Sequence, residues 1–223
     1  MRIFNQYTLM AYLFFYLAAC AYASENMVIT NVTGRSVTVT FTTIKSCSGK
    51  IQLFKDRTFI REYLDDRGSD FTGHSHHITA GNLTPDTWYQ FSISFGETLD
   101  DNNGQFYQIS TGADLIPVGS IQPAGKVLLC DEYTPARDSI VYIHVSSNAD
   151  STISAPLSSL VDTNGFWYVE LSNIRTSDSM NSYVVSDQHT LHIAVSGDQS
   201  IQIEAPVMDN EGGTRLYDPI ILK

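Results

Sequence analysis

The stretch that most constrains this chain is N-L-T-P-D-T-W-Y-Q-F-S-I-S-F at residues 82–95. From Tyr89 the apolar side chains fall on every second position (Tyr89, Phe91, Ile93, Phe95), with Gln90, Ser92 and Ser94 between them. That period of two belongs to a strand with one face packed and the other wet. The Leu83-Thr84-Pro85 segment before it reads as a tight corner feeding the strand.

The surrounding residues repeat the pattern in short segments separated by turn signals. Strands are expected at residues 27–32, 36–43, 50–55, 58–64, 76–79, 88–95 and 105–111. In the second, Val37, Val39 and Phe41 point inward and Thr38, Thr40 and Thr42 outward. Seven strands at this spacing, joined by short connections, predict an antiparallel β-sandwich.

The L-T-P-D-T-W-Y corner, the S-V-T-V-T-F-T-T strand, and D-N-N-G followed by Tyr107 and Thr111-Gly112 together resemble a fibronectin type III module. The resemblance implies that the Tyr89 hydroxyl ties back to the corner backbone, and it makes Phe41, Leu83, Pro85 and Tyr89 structural residues. Many such modules carry Trp where this chain has Phe41.

Residues 112–118, G-A-D-L-I-P-V, form a short proline-containing linker. Its length predicts contact between its two neighbours. Beyond it strands are expected at residues 125–130, 139–145, 157–161, 166–171, 191–195 and 200–205, with a further one at 182–186. The segments A-G-K-V-L-L, S-I-V-Y-I-H-V and L-S-S-L-V-D-T-N-G-F-W-Y-V-E-L-S-N-I-R resemble a transthyretin-like, or carboxypeptidase regulatory-like, module over residues 125–175. Trp167 is its structural aromatic. The fold class expected is all-β: two tandem immunoglobulin-like sandwiches at residues 24–113 and 114–223, after a signal peptide at 1–23. The tandem resembles fibronectin type III domain proteins of the bacterial surface and periplasm, a group of accessory and structural proteins.

The signal peptide rests on Arg2, the apolar run of residues 9–19, and the Ala21-Tyr22-Ala23 cleavage pattern before Ser24. Leu17-Ala18-Ala19-Cys20 also resembles a lipobox, with Cys20 as the acylated residue. The spacing suits secretion and lipid anchoring alike, and a lipid at Cys20 is the membrane attachment considered. After residue 24 no apolar run approaches the roughly 20 residues of a spanning helix. A net charge of -11 with thirteen Lys and Arg argues against nucleic acid. Partners are expected to be a protein or polysaccharide of the cell envelope.

Candidate sites were sought in the connections. In an up-down sandwich, alternate loops share a pole. This places Cys47, then Asp65, Asp66 and Asp70, then Glu97, Asp100, Asp101, Asn102 and Asn103 at the end far from the second module. Three readings stand: a Ca²⁺ site, a docking patch for a basic partner, or turn formers that also solubilise. The lack of a full calcium-loop pattern favours the third. Asp70, His74 and His76 hold the residue types of a Zn²⁺ site, with ordinary strand-edge residues as the competing reading. Asp162-Thr163-Asn164-Gly165 reads as a hairpin turn, and His189 and His192 read as surface. Cys47 and Cys130 are expected a whole sandwich apart, leaving free thiols or a bridge between neighbouring molecules. No nucleophile elbow, H-E-x-x-H or phosphate loop occurs. The expectation is therefore a non-enzymatic binding or assembly module without a cofactor. A metal-dependent accessory domain that uses the acidic loops is the alternative.

Overall fold

The computed structural model describes residues 24–196, 201–207 and 214–223. The signal-peptide and lipobox readings, Cys20 included, lie outside the described residues. Within them the chain is built of β-strands, with a single turn of 3-10 helix at Leu171–Asn173.

In the N-terminal half the strands are β1 (Ser24–Thr30), β2 (Val37–Cys47), β3 (Gly49–Lys55), β4 (Thr58–Leu64), β5 (Gly73–Ala80), β6 (Trp88–Phe95), β7 (Thr98–Asp100) and β8 (Tyr107–Ser110). They form a three-stranded sheet, β1-β2-β5, and a five-stranded sheet, β4-β3-β6-β7, with β8 also on β6. This is the strand order of a fibronectin type III or immunoglobulin-like sandwich. The alternating residues of β6 close the core as their period requires: Tyr89, Phe91, Ile93 and Phe95 are 5% exposed or less. The corner also forms as the resemblance implied. The Thr84 N–H donates to the Tyr89 hydroxyl at 2.9 Å, and Leu83 is buried.

Two local features depart from expectation. The hairpin after β6 turns at Gly96-Glu97, since Phe95 pairs directly with Thr98. Gly96 takes φ 56°, the positive value that two-residue hairpins demand. Residues 101–106 instead bulge out between β7 and β8, which both run along the same edge of β6. Second, the outward residues Thr38 and Thr40 are fully buried, because the C-terminal half covers that face.

The C-terminal strands are β9 (Gln122–Leu128), β10 (Ile140–Ser147), β11 (Leu157–Leu160), β12 (Phe166–Tyr168), β13 (His189–Ser196), β14 (Ile201–Pro206), β15 (Thr214–Leu216) and β16 (Ile220–Ile221). One sheet runs β11-β10-β13-β14; the other runs β12-β9-β15, with β16 also on β9. The short β15 and β16, which the periodicity did not signal, pair with β9 in parallel. Residues 182–186 form no strand, only a bridge between Arg175 and Ser182. The turn at Asp162–Gly165 joins β11 to β12, which lie in different sheets, so it is not a hairpin. Asp162 Oδ1 accepts the N–H groups of Asn164 and Phe166, which makes the turn.

The buried apolar residues fall into two clusters, one per half, centred on Phe41, Phe91 and Ile93 and on Trp167, Val141 and Ile143. Gly125 sits opposite Trp167, and a methyl there would lie 3.0 Å from the indole nitrogen. Residues 112–121 carry almost no strand, yet they are held from both sides. The Gly112 N–H donates to Thr33 O, the Ala113 carbonyl accepts from Arg175, and the Val118 N–H donates to Ser172 O.

Candidate functional site

The outer face of β1-β2-β5 is a seam of hydroxyls. Thr30, Thr38 and Thr40 are 0% exposed, and His77 and Ser158 are buried beside them. The Tyr142 hydroxyl donates to Thr40 at 2.9 Å, and burial raises its pKa. Asn31 closes the edge of β11: its Oδ1 accepts the Ser158 N–H at 2.9 Å, its Nδ2 donates to Ser158 O, and its own N–H donates to Pro156 O. The Asn31 side chain thus supplies the ladder bonds that a neighbouring strand would give.

The direction of each bond across the seam follows from the carboxylate of Asp66, which only accepts. Nδ1 of His77 lies 2.8 Å from Asp66, so it carries the proton; Nε2, 2.9 Å from Ser158 Oγ, then accepts from that hydroxyl in the neutral ring. With the Ser158 proton committed, Thr30 must donate to Ser158 Oγ at 2.6 Å, and Asn31 Nδ2 donates to it at 3.2 Å. A second chain runs from Asn31 through Thr38 and Thr79 to the same carboxylate.

Asp66, His77 and Ser158 therefore stand in the order of a hydrolase triad. A nucleophile, however, needs a lone pair directed at its substrate. Ser158 Oγ accepts from Thr30 and shares the two Asn31 Nδ2 hydrogens with Ser158 O and Thr38 Oγ1, so in this geometry its oxygen serves bonds that tie the halves together.

The sequence-selected acids do not converge. Residues 65–75 lie against the C-terminal half: Arg67 reaches Asp138 at 3.3 Å, and Ser46, Thr72 and His74 line one small cleft with Leu129 and Arg137. The pole expected to be remote is in contact because the second half folds back beside the three-stranded sheet. Asp65 is buried, paired with Arg67 at 2.8 Å and 3.4 Å from Nδ1 of His76. Burial alone would raise its pKa, but His76 and the Arg67 guanidinium outweigh it and hold the carboxyl well below the usual range. The 3.4 Å contact is electrostatic rather than a formed hydrogen bond, since His76 Nδ1 has no hydrogen-bond partner.

Asp100 accepts from Tyr107 and from the Asn102 N–H, and Asp101 accepts from the Gly104 N–H, bonds made within the 101–106 bulge and at its two strand ends. Asn102 and Asn103 take positive φ there, Glu97 is exposed at the β6–β7 hairpin, and Asp70 is exposed beside Ser69. His76 is sealed in the core, stacked on Phe41 at 4.7 Å, while His74 is exposed with Nδ1 3.1 Å from Thr43 O. The irregular register between Thr42 and Cys47 separates the two environments. Among the described residues no three His, Cys, Asp or Glu side chains are grouped to hold a metal ion.

The thiols also differ from expectation. Ser46 and Leu129 share a cleft, so Cys47 and Cys130 are not a sandwich length apart. Cys130 is exposed, but Cys47 is buried with its Sγ near Thr43 and His76, out of reach of a neighbour's thiol. His192, read as surface, is half-buried: it stacks on His144 at 4.4 Å, meets Ser146 at 2.8 Å and lies 3.4 Å from Glu204. His189 is likewise half-buried, against Ser186 and Tyr183.

The open surface is the outer face of the five-stranded sheet. Its register aligns Phe59, Phe54, Gln90 and Gln108 in one row across β4, β3, β6 and β8, with Trp88 opposite Ser110 beside it. Trp88 is 68% exposed and Phe59 54%. Phe106, at the end of the bulge, covers Phe54 at 4.7 Å. A shallow cleft of about 430 Å³ is lined by Asp56, Arg57, Trp88, Tyr89, Gln90 and Gln108. Trp88 was not selected from the sequence, although its parity with Gln90 and Ser92 already put it on the outer face.

No protein-family model matches the chain, and no curated protein matches it. Among solved structures it is similar to PhoD at 16% identity and a TM-score of 0.32, over 49% of this chain and 23% of that one. The FN1-FN3 domains of chicken CNTN1 align at 10% identity and a TM-score of 0.28, over 89% of this chain and 67% of that one. BcpA, the major pilin subunit of Bacillus cereus, aligns at 7% identity and a TM-score of 0.24, over 90% and 70%.

Proposed function

We propose that the chain is exported and serves as a non-enzymatic binding and assembly protein of the cell surface or periplasm, with the outer face of the five-stranded sheet as its recognition surface. The observation that carries this reading is the row of Phe59, Phe54, Gln90 and Gln108, in which Phe59 and Gln108 are exposed and Phe54 and Gln90 half-buried, with the exposed Trp88 beside it, on a sheet whose opposite side is packed. Rigid strands hold these side chains at fixed spacing, and large exposed aromatics on a scaffold mark a contact surface. The sealed seam supports the same reading, since it fixes the two halves relative to one another. The engagement of Ser158 across the seam and of Asp100 and Asp101 in making their turn supports this reading over the enzymatic and metal-dependent alternatives.

The test uses the chain from Ser24 in co-sedimentation with cell-envelope material of its source organism. Wild-type protein should pellet saturably, while a Trp88→Ala, Phe59→Ser double variant with an unchanged melting temperature should remain in solution. Equal pelleting of the two would remove this face as the recognition surface.

A further inference from the structure

We propose that the cleft at Trp88 binds a neutral polysaccharide, the indole stacking on a sugar ring while the Gln90 and Gln108 amides bond its hydroxyls. This rests on the five-stranded face being the recognition surface, and it names the ligand class.

Trp88 stands opposite Ser110, a small residue that leaves the indole uncovered, and its neighbours in the cleft on the adjoining row are the amides of Gln90 and Gln108, with Phe54 and Phe59 further along that row. An apolar protein anchor docking on Trp88 would bury amides against carbon. A sugar presents both chemistries at once, with C–H faces for the ring and hydroxyls that donate and accept, as amides do. Gln90 and Gln108 sit on paired strands, which lie about 4.8 Å apart, close to the length of one pyranose ring.

The cleft is also preset. The Arg57 N–H donates to Gln90 Oε1 at 3.0 Å, which turns the Gln90 NH₂ away from the turn and available to a ligand. That bond depends on the two-residue turn between β3 and β4, where Asp56 has φ 50° and Arg57 φ 62°. Asp56 is a usual residue at the first of these positions, whereas a side chain such as Arg57 in the left-handed region at the second costs on the order of 1 kcal/mol or more. The strained choice places a carboxylate and a guanidinium at the rim of the cleft, both hydrogen-bonding groups.

Charge narrows the class further. Asp56 and Arg57 cancel, so the cleft is neutral on a chain of net charge -11. An anionic polymer is repelled by the whole molecule, and a basic partner gains more elsewhere on it.

The two tryptophans make the test direct, because Trp167 is 1% exposed and Trp88 68%. Emission and iodide quenching of the chain from Ser24 are followed during titration with neutral hexasaccharides: β-1,4- and α-1,4-glucan, xylan, mannan and N-acetylglucosamine series. In parallel, co-sedimentation is repeated with envelope material treated with periodate, which cleaves vicinal diols and spares the peptide backbone. A saturable blue shift with protection from iodide supports the proposal, as does loss of pelleting after periodate. In the pelleting assay Trp88→Ala should abolish binding and Trp88→Phe should retain part of it, while Gln90→Ala, which keeps the indole reporter, should weaken the fluorescence titration about tenfold. No shift with any sugar, together with periodate-resistant pelleting that still requires Trp88, overturns the glycan and leaves the recognition face standing with a protein ligand. Pelleting that ignores Trp88 and Phe59 defeats the face itself.

Discussion

The N-terminal sandwich has two outer faces, and they have opposite fates. On β1-β2-β5 the outward side chains Thr38, Thr40 and His77 are small or hydrogen-bonding groups that let a second body approach closely, and the C-terminal half buries them, leaving only Thr79 at the rim exposed. On the five-stranded sheet they are Trp88, Gln90, Gln108, Phe54 and Phe59, and no described part of the chain covers Trp88 or Phe59. Both faces alternate with an apolar core face, so periodicity alone does not tell them apart. Side-chain size and hydrogen-bonding reach do: hydroxyls on a β-branched strand make a seam, and broad rings among amides make a contact surface.

Substitution at equivalent depth on the two faces gives the largest contrast. Thr40→Lys forces an ammonium into the sealed seam and should cost several kcal/mol or detach the halves. Gln108→Lys on the open face should stay within about 0.5 kcal/mol. Urea unfolding of both variants checks this. Breaking the buried Asp65–Arg67 pair with Asp65→Asn should cost about 3 kcal/mol. Because the folded pKa of Asp65 is depressed, its contribution is present above the unfolded carboxyl value and is lost as pH falls through the folded one. The wild-type penalty from this residue therefore appears only below about pH 4, and the variant should lose that acid dependence.

Ser158→Ala leaves the Thr30, Asn31 and His77 groups unmatched and should cost about 1–3 kcal/mol. The wild-type serine should resist labelling by a fluorophosphonate, because it is buried and its oxygen already accepts from Thr30. The smallest effect is expected at His144, whose pKa is lowered by burial and by the stacked His192. A depressed histidine favours the neutral form, so its stabilisation is present above the unfolded value, near pH 6.5, and lost as pH falls through the folded one. Melting temperature should decline from pH 7 to pH 5, and His144→Gln should flatten that decline.

Much of the N-terminal fold was legible because its signals are local. The alternation of β6, the corner bond from Thr84 to Tyr89 and the burial of Phe41 each depend on residues close in sequence or on one period. The seam was not legible, since it joins residues about 100 positions apart: Thr40 to Tyr142, and Asn31 and His77 to Ser158. One trace was present, in that residues 36–43 carry no charged side chain on the face expected to be wet. The convergent acidic pole failed for a specific reason. A two-residue turn at Gly96-Glu97 took the place of the long loop, which moved Asp100 to Asn103 along the strand edge. The parallel pairs of β15 and β16 escaped notice because two- and three-residue strands carry too little pattern.

Hydroxyl-radical footprinting of the free and envelope-bound protein tests the contrast between the two faces most directly. Tyr133, 86% exposed, serves as the reference that stays reactive throughout. Trp88 and Phe59 should oxidise readily in the free protein and be protected when it is bound, while the half-buried Tyr142 should react more slowly than Tyr133 and at the same rate in both states. Fast oxidation of Tyr142 in the free protein, or Trp88 equally reactive in both states, would contradict that contrast.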